Sequence, residues 1–378
     1  MKFIHLSDLH LGKRVNEFSM LEDQEYILIQ ILEIVKQQKP DAVIIAGDVY
    51  DKSVPSAEAV ELFDSFLVRL LKLQAKVFVI SGNHDSAERI AFGARIMDKS
   101  GIYMSPVYNG RVEPIVLSDK FGEVNVYMLP FVKPANVRRF FPDAEISSYT
   151  DAVSVAIKAM SADYSKRNIL ITHQFVTGAL RSESEDISVG GTDNVDSCVF
   201  AGFDYVALGH LHKSQKCSSE YIRYSGTPLK YSFSEANDKK SVTVVNLNAK
   251  GDICLDFIPL IPKRDMVEIK GSYEALTLKS FWENTSYNED YMHITLTDEE
   301  DIPEVLTKLR VIYKNIMKLD YDNKRTRTMN EINGAEEVKQ KTPAQNFSEF
   351  YELQNGQPLS DEQSAFLADI IERIQEGR

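Results

Sequence analysis

Val77-Phe78-Val79-Ile80-Ser81-Gly82-Asn83-His84-Asp85-Ser86 is the stretch on which the fold is read. Its apolar, β-branched start reads as a buried strand. Gly82 lets the chain turn sharply where that strand stops. Just beyond it stand the amide oxygen of Asn83, the imidazole of His84 and the carboxylate of Asp85. In open α/β sheets ligands bind outside the carboxyl ends of strands. Gly and Asn are also ordinary turn formers, so the stretch gains meaning only if other strands end in partners for it.

They do. Phe3-Ile4-His5-Leu6-Ser7 reads as a strand ending in Asp8-Leu9-His10, and alternation along an extended backbone would put Asp8 and His10 on one side. Taken alone, that pair reads first as a turn Asp and a surface His. Leu28, Ile31, Leu32 and Val35 mark one face of a helix over 20–38. The continuously apolar Ala42–Ala46 suits a parallel strand covered on both faces, and it ends in Gly47-Asp48. Asp48 taken singly could be an N-cap. A second helix follows from Ser56 to Leu73, then the strand to Gly82. This β-α-β-α-β order, with right-handed crossovers, sets the three strands side by side in one parallel sheet. Asp8, His10, Asp48 and Asn83 then converge on one crevice.

Further along, a helix is expected over 87–98, a hairpin-like stretch with Gly110 and Gly122, a strand at Val124–Leu129 and a helix near 150–162. Asn168–Thr172 reads as a strand ending in His173, and Phe203–Leu208 as one ending in Gly209-His210-Leu211-His212. The Gly-, Ser- and Asp-rich run 182–193 reads as a rim loop. A hairpin of Val242–Val245 and Cys254–Phe257 around Lys250-Gly251 should close a second sheet near residue 260.

The length of 378 residues implies two or three domains, and 43% hydrophobic with 26% charged residues is ordinary for a soluble globular chain. Cys198, Cys217 and Cys254 lie far apart with no Cys-x-x-Cys, which excludes a cysteine zinc knuckle and suggests three reduced core thiols. There is no signal-peptide core and no apolar run of membrane-spanning length, so no membrane association and a cytoplasmic location are expected. A net charge of −13 argues against a non-specific nucleic-acid coat protein, but not against a nucleic-acid enzyme whose carboxylates hold cations.

Five of the seven histidines follow directly on expected strands; His5 and His293 do not. Asp8, His10, Asp48, Asn83, His173, His210 and His212 supply O and N donors without a thiolate, which favours Mn²⁺, Fe²⁺ or Zn²⁺. Seven donors are too many for one tetrahedral ion and suit two ions sharing one ligand. Two ions about 3.5–4 Å apart can clamp a phosphoryl group and hold a nucleophilic water. The shared ligand should be a carboxylate from the middle strand, which selects Asp48. His84 is then spare, able to donate to a phosphoryl oxygen or to protonate a leaving group.

Asp-x-His, Gly-Asp, Gly-Asn-His-Asp, a strand-end His and Gly-His-x-His, in this order over residues 8–212, resemble the calcineurin-like metallophosphoesterase superfamily. Gly82–Arg89, the Val189-Gly190-Gly191 loop, Phe203–His212, Ser225-Gly226-Thr227-Pro228 and Tyr231–Glu235 narrow the resemblance. They are similar to the double-strand-break repair nucleases that include the bacterial SbcD proteins. The resemblance implies an α/β fold: a four-layer α/β/β/α sandwich over 1–262, a smaller α+β cap over 263–328 that shapes DNA access, and a linker with C-terminal helices over 329–378. It implies two Mn²⁺ ions, with Mg²⁺, Fe²⁺ or Zn²⁺ as substitutes. Asp8, His10, Asp48 and His212 would hold one, and Asp48, Asn83, His173 and His210 the other. His84 would be the catalytic histidine. Several archaeal members carry a second histidine where Asp51 stands here, so no role for that histidine carries over.

The implied activity is exonucleolytic and endonucleolytic cleavage of DNA ends and hairpins in repair, recombination and replication. The implied partners are DNA, an SbcC-type coiled-coil ATPase and a second copy of the chain, as a homodimer within a heterotetramer. The same site would also serve a phosphoesterase acting on a small phosphodiester or a phosphoprotein. In the cap, strands are expected at Met266–Ile269, Tyr291–Leu296 and Lys318–Tyr321, with a helix from Pro303 to Met317. Lys308, Arg310, Lys314, Lys318, Lys324, Arg325 and Arg327 form either a solvated basic face or a phosphate track. Trp282 reads as cap core. In the tail, Ser360-Asp361-Glu362-Gln363 is a capping box. It starts a helix with Phe366, Leu367, Ile370, Ile371 and Ile374 on one stripe, which the resemblance assigns to the ATPase.

Overall fold

Strand Lys2–Leu6 is the line from which the first sheet grows in both directions. It runs parallel to Ala42–Ala46, Phe3 opposite Ala42 and Leu6 opposite Ile45, and antiparallel to Ser241–Leu247. The full order is Ile253–Pro259, Ser241–Leu247, Lys2–Leu6, Ala42–Ala46, Lys76–Ile80, Ile102–Met104. A second six-stranded sheet runs Gln215–Lys216, Ile222–Tyr224, Tyr205–Gly209, Arg167–His173, Gly122–Leu129, Ile115–Asp119. This computed structural model describes residues 1–180, 182, 185, 193–324, 326, 343–355 and 358–375. The Val189-Gly190-Gly191 loop, Arg325, Arg327 and the expected linker over 330–342 lie outside the described residues.

Period-two alternation sorts the strand side chains into two cores. Phe3, Ile44, Phe78 and Ile80 of the first sheet meet Val126, Met128, Ile169, Ile171 and Ala207 of the second. The opposite faces turn outward. Ile4, Leu6, Val43, Ile45, Val77 and Val79 pack on Ile27, Leu28, Ile31, Phe66 and Leu70 of helices Leu21–Gln38 and Ala57–Lys72. Leu170, Val206 and Leu208 pack on Ala152, Val153, Ala156 and Ile157 of helix Tyr149–Ala159. The result is the α/β/β/α sandwich, and each fully buried Val, Leu or Ile contributes about 1.5–3 kcal/mol. One member of the inter-sheet layer is polar. His5 Nε2 lies 3.2 Å from the Leu208 carbonyl, which can only accept, so Nε2 carries the proton. Nδ1 then accepts from the Tyr205 hydroxyl at 2.9 Å. Burial pushes this imidazole down to about 3.

Several expectations are corrected. The hairpin Ser241–Leu247/Ile253–Pro259 extends the first sheet, not the second, because Val245 and Leu247 supply the inter-sheet layer while Val242 and Val244 supply the helix side. Both edges of the second sheet are taken by Ile115–Asp119 and Gln215–Lys216. The helix expected over 87–98 breaks at Gly93, whose φ of 74° is left-handed, into Ala87–Ile90 and Ala94–Met97. Strand Ile102–Met104 was not anticipated, three residues being too short for a periodic signal. Of the three thiols only Cys217 is buried; Cys198 lies by a 3₁₀ turn and Cys254 on the edge strand, both exposed.

The module expected as a cap holds a three-stranded parallel sheet, Met266–Gly271, Tyr291–Leu296, Asn315–Tyr321. Its helix is confined to Val305–Arg310 rather than 303–317, because residues from Asn315 onward pair with Tyr291–Leu296 instead. Trp282 is half-buried against the cap core of Ile269, Leu276, Met292 and Ile294. Lys314 pairs with Glu289 and Lys318 with Asp320, so part of the basic run is neutralised within the cap. The cap meets the sandwich at buried Asp23, which accepts from Arg264 Nη1 at 2.8 Å and from the Tyr291 hydroxyl at 2.7 Å. In the tail, helices Pro343–Asn355 and Asp361–Gln375 follow, and Ser360 and Gln363 form the reciprocal capping box. Phe347, Phe350 and Phe366 are exposed. Among the described residues no helix is long and apolar enough to cross a membrane.

His5 gives the sandwich a defined acid sensitivity. Its folded pKa of about 3 lies below the ordinary 6.5, so between those values the unfolded chain binds the extra proton and stability falls as pH drops. Urea unfolding at pH 7 and pH 4.5 should show His5→Gln losing less stability on acidification than the parent. The difference should approach about 1.4 kcal/mol per pH unit below 6.5; identical slopes would count against the assignment.

Candidate metal centre

Five strand ends, three from the first sheet and two from the second, deliver the seven expected donors to one crevice. His173 is the last residue of its strand, but four of the seven do not arrive on extended backbone. Asp8 (φ 53°), His10 (φ 45°), Asp48 (φ 49°) and His210 (φ 107°) all have positive φ. This corrects the expectation that alternation sets Asp8 and His10 side by side. Each such residue costs on the order of 1–3 kcal/mol and persists where its surroundings over-determine it. Here the surroundings are cross-loop hydrogen bonds. Asp8 N–H donates to Gly47 O at 3.0 Å and His10 N–H to Asp48 O at 2.9 Å. His210 N–H donates to the Asp8 carboxylate at 3.0 Å.

Glycines let the loops approach this closely. A Cβ on Gly209 would stand 1.8 Å from Ala46 O, joining the two sheets' ends. One on Gly82 would stand 2.1 Å from Asp48 Oδ1. Gly82 is not left-handed, so it is required for room rather than for the turn itself.

Asp48 sits at the middle, 2% exposed. Its Oδ2 lies 3.3 Å from His173 Nε2, 3.8 Å from His10 Nε2 and 4.0 Å from His84 Nε2, while Oδ1 accepts from His84 N–H at 2.9 Å. Asn83 Oδ1 lies 2.9 Å from both His173 Nε2 and His210 Nδ1. His10 Nε2 and His212 Nε2 approach to 3.1 Å. Ligand atoms of Asp8, His10 and His212 lie within 4.8 Å of one another, as do those of Asp8, Asp48 and His173, and those of His10, Asp48 and His84.

The electrostatics are those of a buried pocket short of positive charge. Burial pushes Asp8 up to about 6, and the Asp48 carboxylate adds to it against the imidazoles. Burial also pushes Asp48 up, but His173, His10 and His84 outweigh it and hold it well below the carboxylate range. His173 is pushed down by burial and raised further by Asp48 and Asp8, to about 9. Burial drives His10 well below the ordinary value. His173 Nδ1 faces the Ala46 carbonyl at 2.8 Å, so its proton is held there and Nε2 points into the pocket. These converging N and O donors fit a divalent cation of hard or borderline character, and the three groups overlap at Asp8, His10 and Asp48.

His84 is the most accessible of these imidazoles. Its Nδ1 donates to Asp51 O at 3.1 Å, which turns Nε2 towards Asp48. The Asp51 carboxylate is bound by Lys13 at 2.7 Å and lies 3.8 Å from His10 Nδ1. Asp85 binds no candidate ligand. Burial, then Asp48, push it up to about 6, and it accepts from Gly82 N–H at 2.9 Å, Tyr50 N–H at 3.0 Å and Val49 N–H at 3.1 Å.

Sequence reasoning missed the groups behind the donors. Gln24 reaches from the outer helix, Nε2 donating to His10 O at 2.7 Å and Oε1 accepting from Gly12 N–H at 3.0 Å. The signal was present, since Gln24 is a polar residue on the stripe of Leu28, Ile31 and Val35. Tyr231 donates to Leu9 O at 2.7 Å. Glu235 and Lys240 form a buried pair beside His212. Burial pushes Glu235 up, yet His212 and Lys240 hold it at about 2. Glu185 accepts from His212 N–H at 2.6 Å.

Known proteins share this sequence pattern. Residues 1–214 match the profile of the calcineurin-like phosphoesterases, and residues 262–355 that of the type 5 capsule protein repressor C-terminal domain. A Staphylococcus epidermidis protein, named as the SbcD component of nuclease SbcCD, is 35% identical over 99% of both chains. A Staphylococcus saprophyticus protein of the same name is 36% identical over 84% of both. Among solved structures, a dimetal phosphatase from Danio rerio aligns over 69% of this chain and 96% of its own at 9% identity, with a TM-score of 0.40.

Removing the Asp85 side chain tests the support of the central loop. Asp85→Ala strands three N–H donors, each worth about 1–3 kcal/mol when left unpaired. Chemical denaturation should show a loss of several kcal/mol, and a loss below about 1 kcal/mol would show that the loop holds its shape unaided.

Proposed function

The chain belongs to the SbcD family of nuclease subunits within the calcineurin-like phosphoesterases, and from that premise we propose that it hydrolyses DNA phosphodiesters at a two-cation site. It would act as the nuclease subunit of an SbcC–SbcD type complex in the cytoplasm. The observation that carries the reading is Asp48, a buried carboxylate whose Oδ2 lies 3.8 Å from His10 Nε2 and 3.3 Å from His173 Nε2, one from each donor set below. Asp8, His10, Asp48 and His212 would hold one cation, and Asp48, Asn83, His173 and His210 the other. Mn²⁺ is the proposed metal, with Mg²⁺, Fe²⁺ or Zn²⁺ as substitutes. When bound, such a pair supplies Lewis acidity to a phosphoryl group and makes water nucleophilic near neutral pH.

The protein's own groups do the rest. Asp51 O fixes the His84 ring through Nδ1–H, leaving Nε2 at the accessible face of the pocket. From there Nε2 can donate to a phosphoryl oxygen or hand a proton to the leaving oxygen. Glu185, Lys240 and Gln24 anchor the backbone of the donor loops.

The division of labour follows the chain. Residues 1–262 would be the nuclease domain, 263–328 a cap controlling DNA access, and 329–378 the segment for the coiled-coil ATPase. The exposed Phe347, Phe350 and Phe366 support the last assignment. Phe92 at 83% and Ile96 at 79% exposure, on the broken helix after the central loop, support a homodimer within a heterotetramer.

His84→Gln should lower Mn²⁺-dependent cleavage of hairpin and blunt-duplex DNA by about 10²–10⁴-fold with metal content unchanged. Full activity would remove His84 from catalysis, and faster turnover of cyclic nucleotides or phosphopeptides by the parent would replace DNA as substrate. Truncation near residue 340 should abolish co-purification with the ATPase while metal binding persists; retained co-purification would reject the tail as the contact.

A further inference from the structure

We infer that Glu235, clamped by Lys240, is a positioning residue that holds His212 with its proton on Nδ1 and its Nε2 directed at the proposed cation shared with His10. The inference deepens the two-cation reading and rests on it for its consequence, though not for its geometry.

Glu235 is fully buried, and the Lys240 side chain is 5% exposed. A buried ion pair is weak evidence of stabilisation, since apolar residues of similar volume often do as well. Its geometry indicates another use. The ammonium has three N–H donors, and all three are spent: on Glu235 Oε2, on His212 O at 2.8 Å and on Thr227 Oγ1 at 2.8 Å. With Oε2 bound to Lys240, Oε1 lies 3.5 Å from His212 Nδ1.

His212 is therefore held on three sides. Its N–H donates to Glu185 at 2.6 Å. Its carbonyl accepts from Lys240 and from Thr227 N–H at 3.0 Å. The Nδ1 edge of its ring faces a carboxylate that can only accept, which favours the proton on that nitrogen and a lone pair on Nε2. The opposite edge points Nε2 at His10 Nε2, 3.1 Å away. His173 has the same arrangement with a neutral acceptor, the Ala46 carbonyl. His10 Nδ1 is buried and makes no hydrogen bond among the described residues. The Asp51 carboxylate stands 3.8 Å from His10 Nδ1, so of the three imidazoles His212 has the nearest charged acceptor at Nδ1.

The test uses the full chain, metal-free and labelled with ¹⁵N-histidine, with the His212 signals identified by their loss in His212→Gln. The parent should show His212 protonated on Nδ1. Glu235→Ala should move it towards Nε2, whereas Glu235→Gln, whose amide oxygen still accepts, should largely restore the parental form. Mn²⁺ titration followed by electron paramagnetic resonance should show one of two sites weakened about 10–100-fold in Glu235→Ala and the other unchanged. A parental His212 protonated on Nε2 would overturn the inference without any variant having to fold. So would a folded Glu235→Ala with unchanged tautomer and unchanged affinities. If the parent binds no Mn²⁺, the cation reading fails, and the tautomer of His212 still decides the hold of Glu235.

Discussion

A buried carboxylate at the joint of two sheets is the constraint on which the structure turns. Asp48 ends a strand of the first sheet, and the imidazole nearest among its measured neighbours, His173, ends a strand of the second, 3.3 Å away. Burying a charge is costly unless it is paired. The attraction that answers this charge therefore also draws the carboxyl ends of the two sheets together. That approach leaves no space for a side chain at Gly209, whose Cβ would meet Ala46 O. The packing of Phe78, Ile80, Ile169 and Ile171 between the sheets sets the same separation from the apolar side.

The site is built on strained backbone, and the strain has a physical role. A cluster of donors aimed at one point cannot all leave their strands in ordinary β geometry. Asp8, His10, Asp48 and His210 turn inward through positive φ, each held by hydrogen bonds to a neighbouring strand end. Rigid support of this kind keeps ligands within the small tolerance that metal chemistry needs. The groups behind them extend the support outwards. Gln24 ties the outer helix to His10, Asp85 ties the central loop to Val49 and Tyr50, and Glu235 with Lys240 braces His212.

The cap is linked to this framework rather than merely appended. Asp23 lies one position before Gln24 on the same helix and binds Arg264 and Tyr291, at the start of the cap. Phe233 packs on His293 of the cap sheet at 5.2 Å between ring centroids, two residues before Glu235. Short covalent paths thus run from the cap contact to two of the residues that brace the histidines.

Residue order and local chemistry were enough to single out the strand-end residues that the structure gathers in one crevice, and the parallel strands of the first sheet. Strong apolar strands alternating with amphipathic helices, each ending in a polar residue, are local signals that survive without coordinates. The α/β/β/α layering came from the motif resemblance. The weak segments were different. The hairpin Ser241–Leu247/Ile253–Pro259 carries no mark of which sheet it joins, because that depends on which edge lies open after the rest has folded. The short helix of the smaller module depended on tertiary pairing too, whereas the break at Gly93 comes from its left-handed backbone. Lys240 and Gln24 read as ordinary polar residues, and Glu235 as a motif residue without a role, until the fold set them behind the histidines. Chain chemistry named the candidate donors. Only the packed structure decided what stands behind each of them, because a second partner for an imidazole can come from anywhere in the chain that burial brings near.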